Sequence, residues 1–207
     1  MNQIQCNDSP MKEQLKQHIN EISDVLQQSL HKIDDESHCI LSELEAIQDR
    51  FRKAESIAAS FYLQCYLSAF SIQYLELSIA VNHLSQRRHG ALIVIQRNDA
   101  IEAHLHNGIS VGAKVSYSLL ESIFYPGNPL HDGAVFISYD HIVSAANVLP
   151  LSATIASNKK LGTRHRAAIG ITERTDALAL VVSEETGQSS FAYMGKLYPI
   201  NMGDVTE

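Results

Sequence analysis

The first 60 residues of this 207-residue chain contain no glycine, and their one proline is Pro10. With the residues that turn or break a backbone missing, this stretch is expected to be helical. Cysteine is scarce too. Cys6, Cys39 and Cys65 are three, an odd number at spacings that fit no zinc pattern, and they read as free thiols of a protein in a reducing cytoplasm. Positive charge is in deficit: 16 Lys and Arg against 23 Asp and Glu leave a formal charge of −7. A general nucleic-acid binder needs the opposite balance, so no nucleic acid partner is expected. The amino terminus lacks a basic region leading into an apolar core, so no signal peptide is expected and the location inferred is cytoplasmic. No long unbroken apolar run occurs either. Ile57 to Val81 comes nearest, with Glu76 as its only charge, but Ser60, Gln64, Ser68, Ser71, Gln73 and Ser78 interrupt it. A spanning helix needs about 20 predominantly apolar residues, so this segment reads as a helix buried in protein, and no membrane partner is expected. Neither repeats nor low-complexity tracts are present.

What remains is an ordinary globular balance, 45% apolar and 19% charged, enough for one generous domain or a domain with a small appendage. In the glycine-free region Leu15, Ile19, Ile22, Leu26, Leu30 and Ile33 form one stripe. Asp34-Asp35-Glu36-Ser37 interrupts it, and Ile40, Leu44, Ile47, Phe51, Ala54, Ala58 and Phe61 form a second. Steps alternating between four and three are the seam of an antiparallel helical hairpin or short coiled coil, with Ser37 as a suitable N-cap for the second helix. A hairpin of this size has too small a core to stand alone and needs a partner surface, either the rest of the chain or another protomer.

From Phe61 to about Leu84 a third helix is apolar on most of its circumference. Beyond it the pattern changes. Gly90 to Ile95 reads as a buried strand, Ala100 to His106 as a weaker one, and Ser116 to Phe124 as a short helix. Pro126-Gly127-Asn128-Pro129 is a turn cluster. Strands follow at Ala134 to Ser138 and Ile142 to Val148, then a helix from an N-cap at Thr163 to about Thr175. Ala177 to Ser183 is a further buried strand, and Phe191 to Ile200 contains the last one or two. The fold class expected is α/β: a mixed β-sheet flanked by helices over residues 61–207, preceded by an N-terminal helical hairpin over residues 1–60.

Two short motifs carry the chemistry. The first is Leu130-His131-Asp132-Gly133-Ala134, running into Val135-Phe136-Ile137; the second is Leu161-Gly162-Thr163-Arg164-His165-Arg166-Ala167-Ala168. Asp132, between a turn and a strand, is either a turn-capping residue or a metal ligand and base. The second motif puts two guanidiniums and an imidazole at a helix start, where free backbone N–H groups and the positive dipole end already favour an anion. Arginines there work against the dipole unless an anion compensates. Two residues apart on a helix they point about 200° around the axis, although an extended lead-in could turn both to one side. A triphosphate is such an anion, and planar guanidiniums suit its oxygens. Carboxylate and cations together suit chemistry on a metal-bound polyphosphate.

His131-Asp132-Gly133-Ala134 and Gly162-Thr163-Arg164-His165-Arg166 resemble the paired signatures of the bacterial diadenylate cyclase domain. So do Arg88-His89-Gly90-Ala91-Leu92-Ile93-Val94, Ser122-Ile123-Phe124, Leu149-Pro150-Leu151 and Val182-Ser183-Glu184-Glu185-Thr186-Gly187. The likeness spans about Phe61 to Gly195, and the helical N-terminus resembles the soluble two-helix members of that family. It implies condensation of two ATP molecules into cyclic di-3′,5′-adenosine monophosphate with release of two pyrophosphates, using a divalent metal (Mg, Mn or Co). Carried onto this chain, Asp132 activates the ribose 3′-hydroxyl and helps hold the metal; His131 is a metal ligand or a support for one. Gly133 and Ala134 let the nucleotide approach the backbone. Thr163, Arg164, His165 and Arg166 hold the triphosphate, Ser183 and Glu184 lie where the family contacts phosphate or metal, and Leu149 helps frame the adenine.

Each ATP must offer its hydroxyl to the other's α-phosphorus. The active unit expected is therefore a homo-oligomer with face-to-face catalytic domains, and the hairpin is expected to organise it and restrain its activity. Two other readings differ in class: a metal-dependent phosphohydrolase using His104, His106, His131 and Asp132, and a non-catalytic ATP-binding sensor. Two further patterns read as structural. Gly108 to Lys114 is one residue too short between its glycines for a phosphate loop and reads as a turn. His104 and His106, alternating on a presumed strand, read as an exposed strand edge.

Overall fold

The computed structural model describes residues 9–33, 39–68, 74–153 and 161–201. The expected interruption at Asp34 to Ser37 and its N-cap lie outside them, as does Cys6. The chain divides into two compact units, residues 1–65 and 66–207.

In the first unit, helix α1 (Ser9–Lys32) and helix α2, which runs over Ile40–Ser68, lie antiparallel. Three contacts fix the direction: Lys12 lies over the Phe61 ring, Arg50 faces Glu21 at 3.7 Å, and Lys32 pairs with Glu43 at 2.9 Å. The break expected at Phe61 does not exist, since α2 continues to Ser68. The two apolar stripes also split. Ile22, Ile47, Ala54 and Phe61 are buried, but Ile19, Leu30, Leu44 and Phe51 remain 50–67% exposed. Two helices cover one face of each other only, so a stripe wider than that face leaves its outer positions in water. Cys39 is a free exposed thiol, whereas Cys65 is disulfide-bonded, which departs from the expectation of three free thiols.

The second unit is a seven-stranded mixed sheet in the order β2-β4-β3-β1-β5-β6-β7. The strands are β1 (Ala91–Ile95), β2 (Ile109–Lys114), β3 (Ala134–Ser138), β4 (His141–Asn147), β5 (Leu178–Val182), β6 (Ser189–Tyr193) and β7 (Lys196–Ile200). Only β1 and β3 run parallel; every other neighbouring pair is antiparallel. The helices of this unit are α3 (Tyr74–Arg87), α4 (Tyr117–Ile123) and α5 (Thr163–Thr172). β1 and β5 are buried along their whole length, as strands covered on both faces must be. On one face Leu92, Val94, Ala134, Phe136, Ala179 and Val181 pack with Ala167, Ala168 and Ile171 of α5. The alternate residues point the other way, and α3 lies against β5 with its buried edge of Leu77, Ala80, Val81 and Leu84.

Two side-chain contacts fix the start of α4. Ser116 caps α4 by accepting the Leu119 N–H, and Glu76, the one charge in its apolar segment, accepts the Tyr117 N–H at 2.7 Å. Two expectations fail. Ala100 to His106 is not a strand: Glu102–His104 form a 3-10 turn and His106 makes one isolated bridge to Val148, so the two histidines share no strand face. Gly108 to Lys114, read as a turn, contains the edge strand β2; a register shift lies within it and Gly112 has φ +65°. The bulge breaks the alternation that identifies strands.

Candidate active site

The ends of three neighbouring strands define the site. β1 and β3 are in parallel register with Ile93 opposite Val135. Three residues earlier on the two segments are Gly90 and Asp132, at the same end of the sheet. β5 runs back beside β1 with Val182 opposite Ala91, so Ser183 and Glu184 emerge at that end too. The N-terminus of α5 is drawn to it by Arg164, whose guanidinium donates to the Glu184 carboxylate at 2.7 Å.

Helix α5 begins one residue earlier than its sequence suggests. Gly162 is the N-cap, with extended backbone and no side-chain cap, and the first intrahelical bond runs from the Arg166 N–H to the Gly162 carbonyl. Thr163, Arg164 and His165 thus occupy the first turn, where backbone N–H groups point outward without helical partners. The two arginines diverge because they lie inside the helix. Arg164 turns to Glu184, while Arg166 donates to the Ser152 carbonyl at 3.2 Å and its own carbonyl accepts the Ser152 N–H. The alternative of an extended lead-in that aligned them does not hold. The Arg164 side chain is mostly buried, and its Nε has no hydrogen-bond partner. Between the arginines, His165 is held below the usual imidazole range. Burial is the main cause; the Glu185 carboxylate opposes it and the Arg164 charge adds to it. At neutral pH this imidazole is uncharged, which spares the helix start a third positive charge.

His131 and Asp132 leave a turn that Asn128 organises. The Asn128 side chain donates to the Ser122 carbonyl and accepts the Leu130 N–H, and its backbone carbonyl receives the His131 N–H. That carbonyl also receives Nδ1 of the His131 ring. A carbonyl can only accept, so Nδ1 is the donor in this contact, which leaves Nε2 as the ring nitrogen that carries the lone pair in the neutral tautomer. Asp132 is exposed, and among the described residues its side chain forms no hydrogen bond or ion pair. Gly133 has φ +129°, and a Cβ there would stand 2.7 Å from the Ala146 carbonyl carbon of β4. Its lack of a side chain is required by packing as well as by backbone angle.

The other expected residues are placed as follows. Ser183 is half-buried and opens the tight β5–β6 connection: its Oγ accepts the Thr186 N–H and its carbonyl the Gly187 N–H. Ala134 and Leu149 are buried in the cluster under α5, so Leu149 contributes to the core wherever else it acts. Thr163 is exposed at the helix start. Glu184, Arg164 and the Gly90 backbone form one contact group; Arg166 and Leu149 stand apart from it. Residues missed from the sequence are Gly90, Asn128 and Glu185. Asn128 could have been found from its place between two prolines, where an Asx turn is expected.

Among the described residues no group of three or more His, Cys, Asp and Glu is arranged to hold a metal ion. A pair such as His131 and Asp132, with one free imidazole nitrogen and one unengaged carboxylate, suits an ion whose remaining ligands are phosphate oxygens and water. No described helix is long and apolar enough to cross a membrane.

An α/β unit with a carboxylate and an arginine-bearing helix N-terminus at one end of its sheet is the frame of a nucleotide-binding protein. Family models agree and are more specific: residues 78–197 match "DisA bacterial checkpoint controller nucleotide-binding", and residues 2–70 match "Diadenylate cyclase CdaS, N-terminal". The chain belongs to the diadenylate cyclase family. It is 47% identical to diadenylate cyclase CdaS of Bacillus thuringiensis, covering 93% of this chain and 98% of that one. It is 51% identical to cyclic di-AMP synthase CdaS of Bacillus subtilis, over 83% and 82% of the two chains. Among solved structures, a Bacillus cereus protein described as a hypothetical membrane spanning protein superposes with a TM-score of 0.77 at 49% identity, over 93% of this chain and 94% of that one.

Proposed function

We propose that this protein condenses two ATP molecules into cyclic di-adenosine monophosphate, releasing two pyrophosphates. Membership of the diadenylate cyclase family supports this reading, and so does the convergence of Asp132, Gly90 and the Arg164–Glu184 pair at one end of the sheet.

The reaction is in-line attack of a ribose 3′-hydroxyl on an α-phosphorus, with negative charge growing on the phosphate oxygens and the departing pyrophosphate. Asp132, exposed and unengaged, accepts the hydroxyl proton or orients the hydroxyl. The free N–H groups of Thr163, Arg164 and His165 face the triphosphate, and the Arg164 guanidinium contributes the positive charge. An uncharged His165 donates or accepts one hydrogen bond there. Arg166, engaged with the Ser152 carbonyl, reaches phosphate only by exchanging that acceptor. Ser183 and Glu184 border the phosphate subsite, Gly133 and Ala134 form its floor, and Leu149 backs the adenine from the core. His131 and the Asp132 carboxylate would hold a divalent Mg, Mn or Co ion, which would supply Lewis-acid charge to the hydroxyl and the phosphate oxygens.

Each nucleotide supplies the nucleophile for the other, so two copies of the second unit work face to face. The hairpin assembles copies of the chain and restrains how often the faces meet. Its exposed heptad-spaced positions, Ile19 and Leu26 on α1 and Ile33 just beyond its end, with Leu44 and Phe51 on α2, support self-association. The phosphohydrolase reading loses support, because His104 and His106 share no strand face.

The test is to incubate the purified protein with ATP and Mn²⁺ and identify the products by mass. Cyclic di-adenosine monophosphate and pyrophosphate are expected. ADP with orthophosphate favours the hydrolase; unchanged ATP with measurable binding favours the sensor.

A further inference from the structure

We propose that Asn147 is a positioning residue for Asp132, acting through the backbone of Gly133 and Ala134; this deepens the cyclase reading and rests on it. Asp132 has no side-chain partner among the described residues, so its direction is set by the backbone that carries it. That backbone is held by one residue of β4, in two ways.

The Asn147 side chain, 3% exposed, donates from Nδ2 to the Ala134 carbonyl at 2.8 Å. Its Oδ1 accepts the Ser144 hydroxyl at 3.1 Å. Both ends of the amide are therefore engaged, which fixes its orientation. Its own carbonyl oxygen would lie 2.8 Å from a Cβ on Gly133, so the Asn147 backbone fills the space that a side chain on the residue after Asp132 would need.

The surrounding strand is shaped for this. Ala146 adopts φ +55°, a left-handed conformation unusual for a residue with a side chain. The β3–β4 register shifts between Ala134 and Phe136. A bulge of this kind re-aims a side chain at a strand end; here it turns the Asn147 amide inward, beneath Ala134. Gly108 completes the cradle, because a Cβ there would stand 2.0 Å from Asn147 Oδ1. The amide fills the space that a side chain at residue 108 would need.

A buried amide spanning β3 and β4 could serve stability alone. The two roles separate kinetically. A purely structural role leaves the folded enzyme's turnover intact, whereas a positioning role lowers kcat and leaves nucleotide binding alone, since Arg164 and the start of α5 are not touched. Misplacing a reacting group by about 1 Å costs up to about 100-fold in rate.

The experiment measures kcat, KM for ATP with Mn²⁺, and Tm for the wild type, Asn147→Ala and Asn147→Asp. The aspartate keeps the Ser144 contact but sets an acceptor against the Ala134 carbonyl. Both variants are expected to lose about tenfold or more in kcat with KM within about twofold. A lowered Tm with unchanged kcat, or a raised KM with unchanged kcat, overturns the proposal. Where Asn147→Ala does not fold, Ser144→Ala decides: it leaves the Asn147 donor in place but unsteadied, and should lower kcat by about threefold at constant KM, while an unchanged kcat overturns the role. A wild type that makes no product sinks the cyclase reading and this role with it; a working wild type beside an equally fast Asn147→Ala sinks this role alone.

Discussion

A methyl group on the α-carbon of Gly90 would stand 2.6 Å from Nη1 of Arg164, and 2.8 Å from the Glu184 oxygen that Arg164 holds. The start of β1 therefore serves as a bare platform on which the ion pair between α5 and the end of β5 rests. The atoms that such a methyl group would displace are the ends of flexible side chains, which can move at little cost. Gly90→Ala should leave Tm nearly unchanged and raise KM for ATP about fivefold or more, because the guanidinium is pushed from its place. Steady-state kinetics beside a thermal melt check this; an unchanged KM removes Arg164 from nucleotide binding.

Gly170 makes the opposite case. A Cβ there would meet the Pro150 carbonyl oxygen at 2.1 Å and the Ser152 nitrogen at 2.7 Å. These are backbone atoms and cannot swing aside. Gly170→Ala should destabilise the second unit by about 3 kcal/mol, the upper range for overpacking. Denaturant unfolding reads this directly.

Asp132→Asn keeps the size of the side chain and removes the charge. Asp132 is exposed and unbonded among the described residues, so the fold should be indifferent and ATP binding largely retained. Product formation should fall by about 100-fold or more, the scale of a lost general base. Product analysis by mass with a parallel binding titration distinguishes loss of chemistry from loss of substrate.

His165 links the site to pH. Its native pKa is depressed, mainly by burial, while the unfolded value is about 6.5. Below that value the unfolded chain takes up a proton that the native chain refuses. The contribution of the neutral imidazole is thus complete above about pH 6.5 and is lost as the pH falls through the native value. His165→Asn should flatten the decline in stability as the pH falls below about 6.5. Denaturation midpoints at a series of pH values measure the slope for both proteins; identical slopes would mean that His165 is not the titrating group.

The hairpin's outer face is testable without truncation. Leu30 is 67% exposed and Leu26 lies four residues before it on α1. Changing both to Glu leaves Ile22 and Ile47 in their buried positions, so the hairpin should still fold, and light scattering should report a smaller particle. With the restraint proposed for the hairpin, specific activity should rise. A particle of unchanged size would move the self-association surface elsewhere.

The sequence alone determined a great deal. The glycine-free start dictated long helices, and Val, Ile and Leu runs dictated buried strands, because these patterns act within a few residues of chain. The motifs around Asp132 and Arg164 pointed to phosphate chemistry by residue type alone. Local rules faltered where the backbone departs from its regular period: the bulged edge strand β2 passed for a turn, and α5 starts at Thr163 rather than being capped by it. Only the tertiary structure decided which of two neighbouring arginines meets Glu184, why Gly90 and Gly133 must lack side chains, and that Asn147 reaches under Ala134. Those relations join residues from about 13 to about 90 positions apart. They arise from strand register and helix docking, and no spacing along the chain encodes them.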